Sequence, residues 1–236
     1  MLEVGSFHVM SLLARARELE AQGRSIVHME IGEPDFPTPR PIVEAGLGAL
    51  EKGGIHYTSA LGLSELRAAI ADFYCDRYGI EISPRRVIVT PGASGALLLA
   101  MGVLLSPGDQ VLMNDPGYPC YRNLARVMEG RPIAIPVGPE SNYQLTPELI
   151  ERHWTARTVA VMLASPSNPT GALIAGETLE TIIETVLARS GALIVDEIYH
   201  GLVYEASAPT ALSFHDSAFV INSFSKYFGM TGWRLG

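Results

Sequence analysis

From Arg86 onward, short runs that are apolar throughout alternate with stretches of helical spacing, and this rhythm constrains the fold more than any other feature. The runs are "RVIVT" (86–90), "QVLMN" (110–114), "PIAIPV" (132–137), "TVAVMLAS" (158–165), "ALIVDE" (192–197) and "AFVINS" (218–223). Helical patterns fall between them at 94–104, 118–128 and 177–189; in the last, Leu179, Ile182, Ile183, Val186 and Leu187 recur at helical spacing. A strand with one wet face alternates apolar and polar residues, whereas a run without alternation suits a strand covered on both faces. Strands that alternate with helices build βαβ units. The expected fold is α/β, a mostly parallel sheet between helical layers.

Upstream, residues 8–22 read as a helix with Val9, Leu12, Leu13, Ala16 and Leu19 on one face and Gly23 as its stop. Pro34, Pro37 and Pro39 then forbid regular structure. A second helix is expected over 64–78, capped by Ser64, buried through Leu66, Ile70, Phe73 and Tyr74, and ended by Gly79.

The whole chain has 236 residues, 47% of them hydrophobic and 18% charged, enough to bury a sizeable core. A net charge of −8 argues against a nucleic-acid partner, which would leave a basic footprint. Cys75 and Cys120 stand far apart, outside any CxxC or Cys/His cluster, so reduced thiols and no metal site are expected. With no signal peptide and no apolar run long enough to span a bilayer, the expectation is a soluble cytoplasmic protein without a membrane partner.

In an open parallel sheet, ligands bind beyond the carboxyl ends of the strands. The residues after each run are therefore the candidates. "PGASGALLLA" follows the first run, "DPGYPCY" the second and "PSNPTG" the fourth; the last two end in Asp196, Tyr199 and His200, and in Ser223, Ser225 and Lys226. Parallel strands would place Asn168, Asp196, Tyr199, Ser223, Lys226, two aromatic rings and a helix N-terminus along one edge. Each element alone has a plainer reading. "PGASG" is a tight turn, "SNPTG" a loop signal, Asp196 a helix cap and Lys226 a solvated lysine. Their order on successive strands is what raises them together. Ser223-Phe224-Ser225-Lys226 also fits S-x-x-K, the nucleophilic serine motif of penicillin-recognising enzymes, but the companion SDN and KTG motifs are absent. GxxxxGK[ST], HExxH, GxGxxG and GxSxG are absent too.

"SPSNPTG", "DEIYHGLVY" and "SFSKYFGMTGWRLG" resemble signatures of the class I/II aminotransferases, fold-type I enzymes dependent on pyridoxal 5′-phosphate. "IGEPDF", "HYTSALGLSELRAAIADF" and "VTPGASGALLLA" are similar to the same family upstream, in the same order. The resemblance implies a three-layer α/β/α large domain over 46–236, with 1–45 as an N-terminal arm and helix that join a small domain.

It also implies roles. Lys226 would form a Schiff base with the cofactor aldehyde, give it up to an amino-acid substrate, and shuttle the proton at Cα. A lysine doing this needs a lowered pKa, which burial supplies. Asp196 would keep the pyridine nitrogen protonated, so that the ring accepts electrons. Asn168 and Tyr199 would hydrogen-bond the phenolic oxygen, and Tyr118 would stack on the ring. The phosphate would lie against Ala93 (through its backbone) and Ser94 at a helix start, with Ser223 and Arg234 completing the cup. Tyr57 would reach the phosphate of a partner subunit in a homodimer. Gly32, lacking a side chain, and Asn168 would admit the substrate carboxylate.

The resemblance implies a longer chain as well. Family members continue past "GWRLG" into a C-terminal small domain, which supplies the arginine for the substrate α-carboxylate and is absent from residues 1–236. The expected activity is amino transfer between an L-amino acid and a 2-oxo acid, with these residues binding cofactor but lacking that arginine. Two alternatives stay open: a C–S lyase or related eliminating enzyme on the same cofactor, and a non-catalytic cofactor-sensing module.

Overall fold

The computed structural model describes residues 4–5, 7–204 and 206–236. Two helices, α1 (His8–Ala21) and α2 (Arg40–Glu51), precede α3 (Ser64–Tyr78) and α4 (Gly92–Leu104). The sheet portion runs β1 (Gln110–Asp115), α5 (Pro119–Val127), β2 (Arg131–Pro136), α6 (Pro147–His153), β3 (Thr158–Ala164), α7 (Gly176–Leu187), β4 (Ala192–Asp196) and β5 (Phe219–Ile221).

The five strands lie in the order β2-β1-β3-β4-β5, and every neighbouring pair is parallel. Residues 111–113 show why the runs are uniformly apolar. Successive strand side chains point to opposite faces. Val111 and Met113 join one core with Leu97 and Met101 of α4 and Ala125 of α5. Leu112, between them, joins the other core with Ile150 of α6 and Leu179, Ile182 and Val186 of α7. The sheet is therefore the middle of three layers, as expected. Each fully buried leucine or methionine there contributes about 1.5–3 kcal/mol through removal of its apolar surface from water.

Helix boundaries follow local chemistry. Thr146 caps α6, its hydroxyl accepting the Leu149 N–H at 3.3 Å, and Pro147 fills the first turn. α3 ends at Gly79, in the left-handed conformation with φ +70°.

Two expectations are corrected. Ser64 does not cap α3; Leu63 occupies the cap position, and the Ser64 hydroxyl hydrogen-bonds Glu65 at 3.0 Å instead. The hydroxyl lies inside the first turn, where it cannot reach the free N–H groups ahead of it. The 86–90 run is not a strand of the sheet. Pro84–Arg86 forms a 3-10 turn, and the chain beyond it is extended without a ladder among the described residues. The Val89 N–H donates to Leu61 O, and Thr90 exchanges both backbone bonds with Gly236 at 2.7 and 3.0 Å. That exchange is one antiparallel pair, and a strand needs a succession of them.

α2 and α6 were not foreseen. α6 is only seven residues long and α2 has just Val43, Leu47 and Leu50 at helical spacing, but each carries proline in its first turn, with threonine ahead of α6 as a further start signal. α2 also spans the boundary expected at 45/46. No helix among the described residues is long and apolar enough to cross a membrane.

Candidate active site

The carboxyl ends of β1, β3, β4 and β5 open onto one cavity of about 770 Å³, ample for a cofactor-sized ligand. In this strand order the chain reverses direction across the sheet between β1 and β3, the position where open α/β sheets bind ligands. Tyr118 arrives from β1, Asn168 from β3, Asp196 and Tyr199 from β4, and Lys226 from β5. Ala93 and Ser94 at the start of α4, Gly32 and Arg234 complete the set. Nine of the eleven expected residues thus meet in a single cavity.

Asp196 sits at the last position of β4, only 4% exposed. Its Oδ2 accepts the Tyr121 hydroxyl at 2.6 Å and its Oδ1 the Ile198 N–H at 3.1 Å. Burial raises its pKa above the ordinary carboxylate value, and these two donors oppose the rise. Among the described residues no cation pairs with it. A buried carboxylate without a cation is costly, so the cavity calls for a positively charged group at this point.

Lys226 is half-buried, and its ammonium donates to Gly32 O at 2.7 Å. Burial lowers its pKa, Glu33 opposes that and Arg234 adds to it. A lysine so placed is a better base and nucleophile than a surface lysine. The Asn168 amide donates to the Tyr199 hydroxyl at 3.3 Å, joining the β3 and β4 loops. Burial first, then the charge of Asp196, raises the Tyr199 pKa, and Asn168 opposes it.

Gly92 opens α4 with φ +71°, a conformation that suits glycine. A Cβ there would lie 2.5 Å from Arg234 Nη2, so the guanidinium rests directly on the helix N-terminus. Arg234 also donates from Nη1 to Thr231 O at 2.8 Å. The free N–H groups of a helix start beside a guanidinium form an anion cradle.

Three residues are placed less simply. Ser223 is buried and lies outside the cavity lining; its hydroxyl accepts the Ser225 N–H at 3.1 Å, and Ser225 lines the cavity instead. Tyr57 is fully exposed and does not line it. Gly32 lines it, but a Cβ there would meet no heavy atom within 4 Å.

Sequence reasoning missed Tyr121, which holds Asp196 in place. Its signal was the second ring of "YPCY", three residues beyond Tyr118 and in the first turn of α5. Tyr118 and Tyr121 stand edge to face, 5.3 Å between centroids, with Phe7 against Tyr118 at 5.9 Å.

Residues 24–236 match the family model for aminotransferase class I and II, and the chain belongs to that family. Its members depend on pyridoxal 5′-phosphate. A (5-formylfuran-3-yl)methyl phosphate transaminase from Methanocaldococcus jannaschii is 40% identical over all of this chain and 61% of its own length. A valine–pyruvate aminotransferase from Mycobacterium tuberculosis is 40% identical over 99% of this chain and 60% of its own. Among solved structures, an aspartate aminotransferase from Thermus thermophilus with maleate superposes with TM-score 0.95 at 34% identity, covering 99% of this chain and 61% of that one. The chain thus spans about 60% of the length of these relatives.

The residues fit the cofactor on their own chemistry. A buried carboxylate lacking a cation suits a protonated ring nitrogen, a lysine of lowered pKa suits an aldehyde, and the Gly92–Arg234 cradle suits a phosphate.

Proposed function

We propose that the protein is an aminotransferase that moves an amino group between an L-amino acid and a 2-oxo acid, with residues 46–236 forming its cofactor-binding large domain and 1–45 an arm of the small domain. The observation that carries this reading is the shared cavity of Lys226 and Asp196: a half-buried lysine and a buried carboxylate with no cation beside it among the described residues. When bound, pyridoxal phosphate supplies a ring that takes up the electron pair left at a substrate Cα after its proton departs.

The chain's own residues do the rest. Asp196, steadied by Tyr121 and the Ile198 N–H, would keep the proton on the ring nitrogen. Lys226 Nζ would attach the cofactor and, once freed by a substrate amine, would serve as the base that moves the Cα proton. Its lowered pKa supports the base role near neutral pH. Asn168 and Tyr199 would hydrogen-bond the phenolic oxygen, and Tyr118 would cover a ring face. The Ala93 N–H, Ser94 and Arg234 hold the phosphate, with Ser223 supporting that wall through the Ser225 backbone. Asn168 and Gly32 border the place for the substrate carboxylate. Arg234 is the one arginine lining the cavity among the described residues. Its assignment to the phosphate leaves no other arginine of this cavity, among the described residues, for the substrate carboxylate.

The same reading makes the protein a cytoplasmic homodimer with shared sites. The full exposure of Tyr57, free to reach a second subunit, supports sharing, and two free cysteines suit a reducing compartment.

Reconstitution with pyridoxal phosphate tests this. Amino acid plus 2-oxo acid should yield the exchanged pair, and borohydride should fix the cofactor on Lys226. Release of pyruvate and ammonia without an acceptor would sink transamination in favour of elimination. A Lys226→Ala protein that still retained borohydride-fixed cofactor would overturn the lysine assignment.

A further inference from the structure

Behind the cavity lies a polar cluster for which the proposed reaction has no use: the buried Glu197, His200 and Ser165, the last through its carbonyl, with the half-buried Tyr78. Glu197 and His200 alternate with Asp196 and Tyr199 along one segment but turn away from the cavity lining. His200 is 5% exposed. Its Nε2 is 3.0 Å from Ser165 O and its Nδ1 is 2.8 Å from the Tyr78 hydroxyl.

Those partners fix the tautomer. A backbone carbonyl only accepts, so Nε2 carries the proton and donates to Ser165 O. In the neutral ring Nδ1 is then the acceptor, and Tyr78 donates to it. Burial keeps the ring neutral, pushing its pKa down to about 4. Glu197 Oε2 is 3.5 Å from Nδ1 and has no hydrogen-bond partner; Oε1 accepts the Ala211 N–H at 2.8 Å and the Thr210 hydroxyl at 3.1 Å. Burial pushes the Glu197 carboxyl up to about 8, so at neutral pH no charge beside His200 draws a second proton onto the ring.

Ser165 opens the loop that carries Asn168, and His200 closes the segment that carries Tyr199. The Asn168–Tyr199 contact spans 3.3 Å, long for a hydrogen bond, so small loop displacements alter it. We infer that His200 is a positioning residue: by donating from Nε2 to Ser165 O, it ties the Asn168 loop to the Tyr199 segment and sets how both side chains meet the cofactor's phenolic oxygen. This rests on the reading of the cavity as a pyridoxal phosphate site. Tyr78 acts through His200 by holding the ring in the orientation that points Nε2 at Ser165.

The test is the pH titration of the visible absorbance of the holoprotein with bound pyridoxal phosphate, read beside cofactor affinity. Hydrogen-bond donors at the phenolic oxygen favour its ionised form, so loosening them raises the midpoint. His200→Leu fills the space without a donor and should raise the midpoint by about half a unit to one unit, the effect of weakening one hydrogen bond. His200→Gln, whose amide places a donor near the Nε2 position, should return most of the way to wild type. Should His200→Leu fail to fold, Tyr78→Phe takes its place and should move the midpoint the same way by less. An unmoved midpoint in the folded His200→Leu protein, or in Tyr78→Phe where that serves instead, overturns the inference alone. Equal shifts in His200→Leu and His200→Gln overturn it too, because the donor would not matter. A wild-type protein with no titrating band and no borohydride labelling of Lys226 overturns the cofactor reading itself.

Discussion

The sheet and the N-terminal segment meet at the same cavity but are built on opposite terms. In β1, β3 and β4 nearly every residue is buried, and both faces are covered. In α1 and α2 no residue is buried; Leu12, Leu47 and Leu50 on these helices, and Val27 and Met29 between them, are exposed. Yet Phe7, Val9, Met10 and Glu30 line the cavity, and Gly32 O holds the Lys226 ammonium. The difference teaches that the two walls have different sources of order. The sheet wall is placed by its own core, so Asp196, Tyr199 and Asn168 inherit its precision. The N-terminal wall is placed by a few contacts to the segment that follows β5, such as Thr38 to Gly229 O at 2.7 Å and Trp233 to Thr38 at 3.1 Å.

Paired truncations would break this comparison most sharply. Leu112→Ala, at a position fully buried in the sheet, should cost about 2–5 kcal/mol in denaturant unfolding. Leu12→Ala, on an exposed part of α1, should stay within about 0.5 kcal/mol of wild type. Similar losses at both sites would mean the N-terminal segment shares the sheet's core after all.

The next effect belongs to the junction between sheet and cradle. Gly92→Ala forces a side chain into φ +71° and against Arg234. It should destabilise the fold by about 1–2 kcal/mol through backbone strain alone. The displaced guanidinium should raise the cofactor dissociation constant about tenfold, the effect of losing one charge-assisted hydrogen bond. Unchanged affinity by equilibrium titration would remove Arg234 from the phosphate site.

The smallest effect sharpens the account of the buried cluster behind the sheet. Glu197 has a folded pKa of about 8, above its unfolded value, so between the two the folded state holds a proton that the unfolded state releases. Its stabilisation is complete below the unfolded pKa and is lost as pH rises through 8. His200 runs the other way, because its folded pKa of about 4 makes stability rise with pH up to its unfolded value near 6.5. The two oppose each other at lower pH, and from 6.5 to 8 the loss at Glu197 is no longer offset by His200. Stability should fall there by roughly 1 kcal/mol per pH unit, and Glu197→Gln should flatten the slope. A wild-type profile already flat in that window, measured by urea unfolding, would contradict a protonated Glu197.

Much of the site was legible because of where polar residues interrupt apolar runs. Asn168, Asp196, Tyr199 and Lys226 each follow a run by a few residues, and parallel strands bring all such endings to one edge. The RVIVT run shows the limit of that reasoning. Its composition matches the other runs, yet it pairs with a turn and with a single residue, Gly236, because composition records a preference for extension and not the neighbour that satisfies it. Tyr121 and His200 show a second limit. Nothing local distinguishes the tyrosine that donates to Asp196 from its neighbour Tyr118, or the histidine that donates to a carbonyl 35 residues away from a surface one.

The sequence by itself determined that the chain forms a parallel α/β sheet and that its reactive residues gather at the strand ends, because burial on two faces and helical spacing are written in patterns a few residues long. Only the tertiary structure decided the order β2-β1-β3-β4-β5, the turning of Ser223 away from the cavity, the Arg234 contact on Gly92, and the pairing of Tyr121 with Asp196. Those depend on contacts between residues far apart in the chain, whose energies exist only once both sides of the cavity are folded against each other.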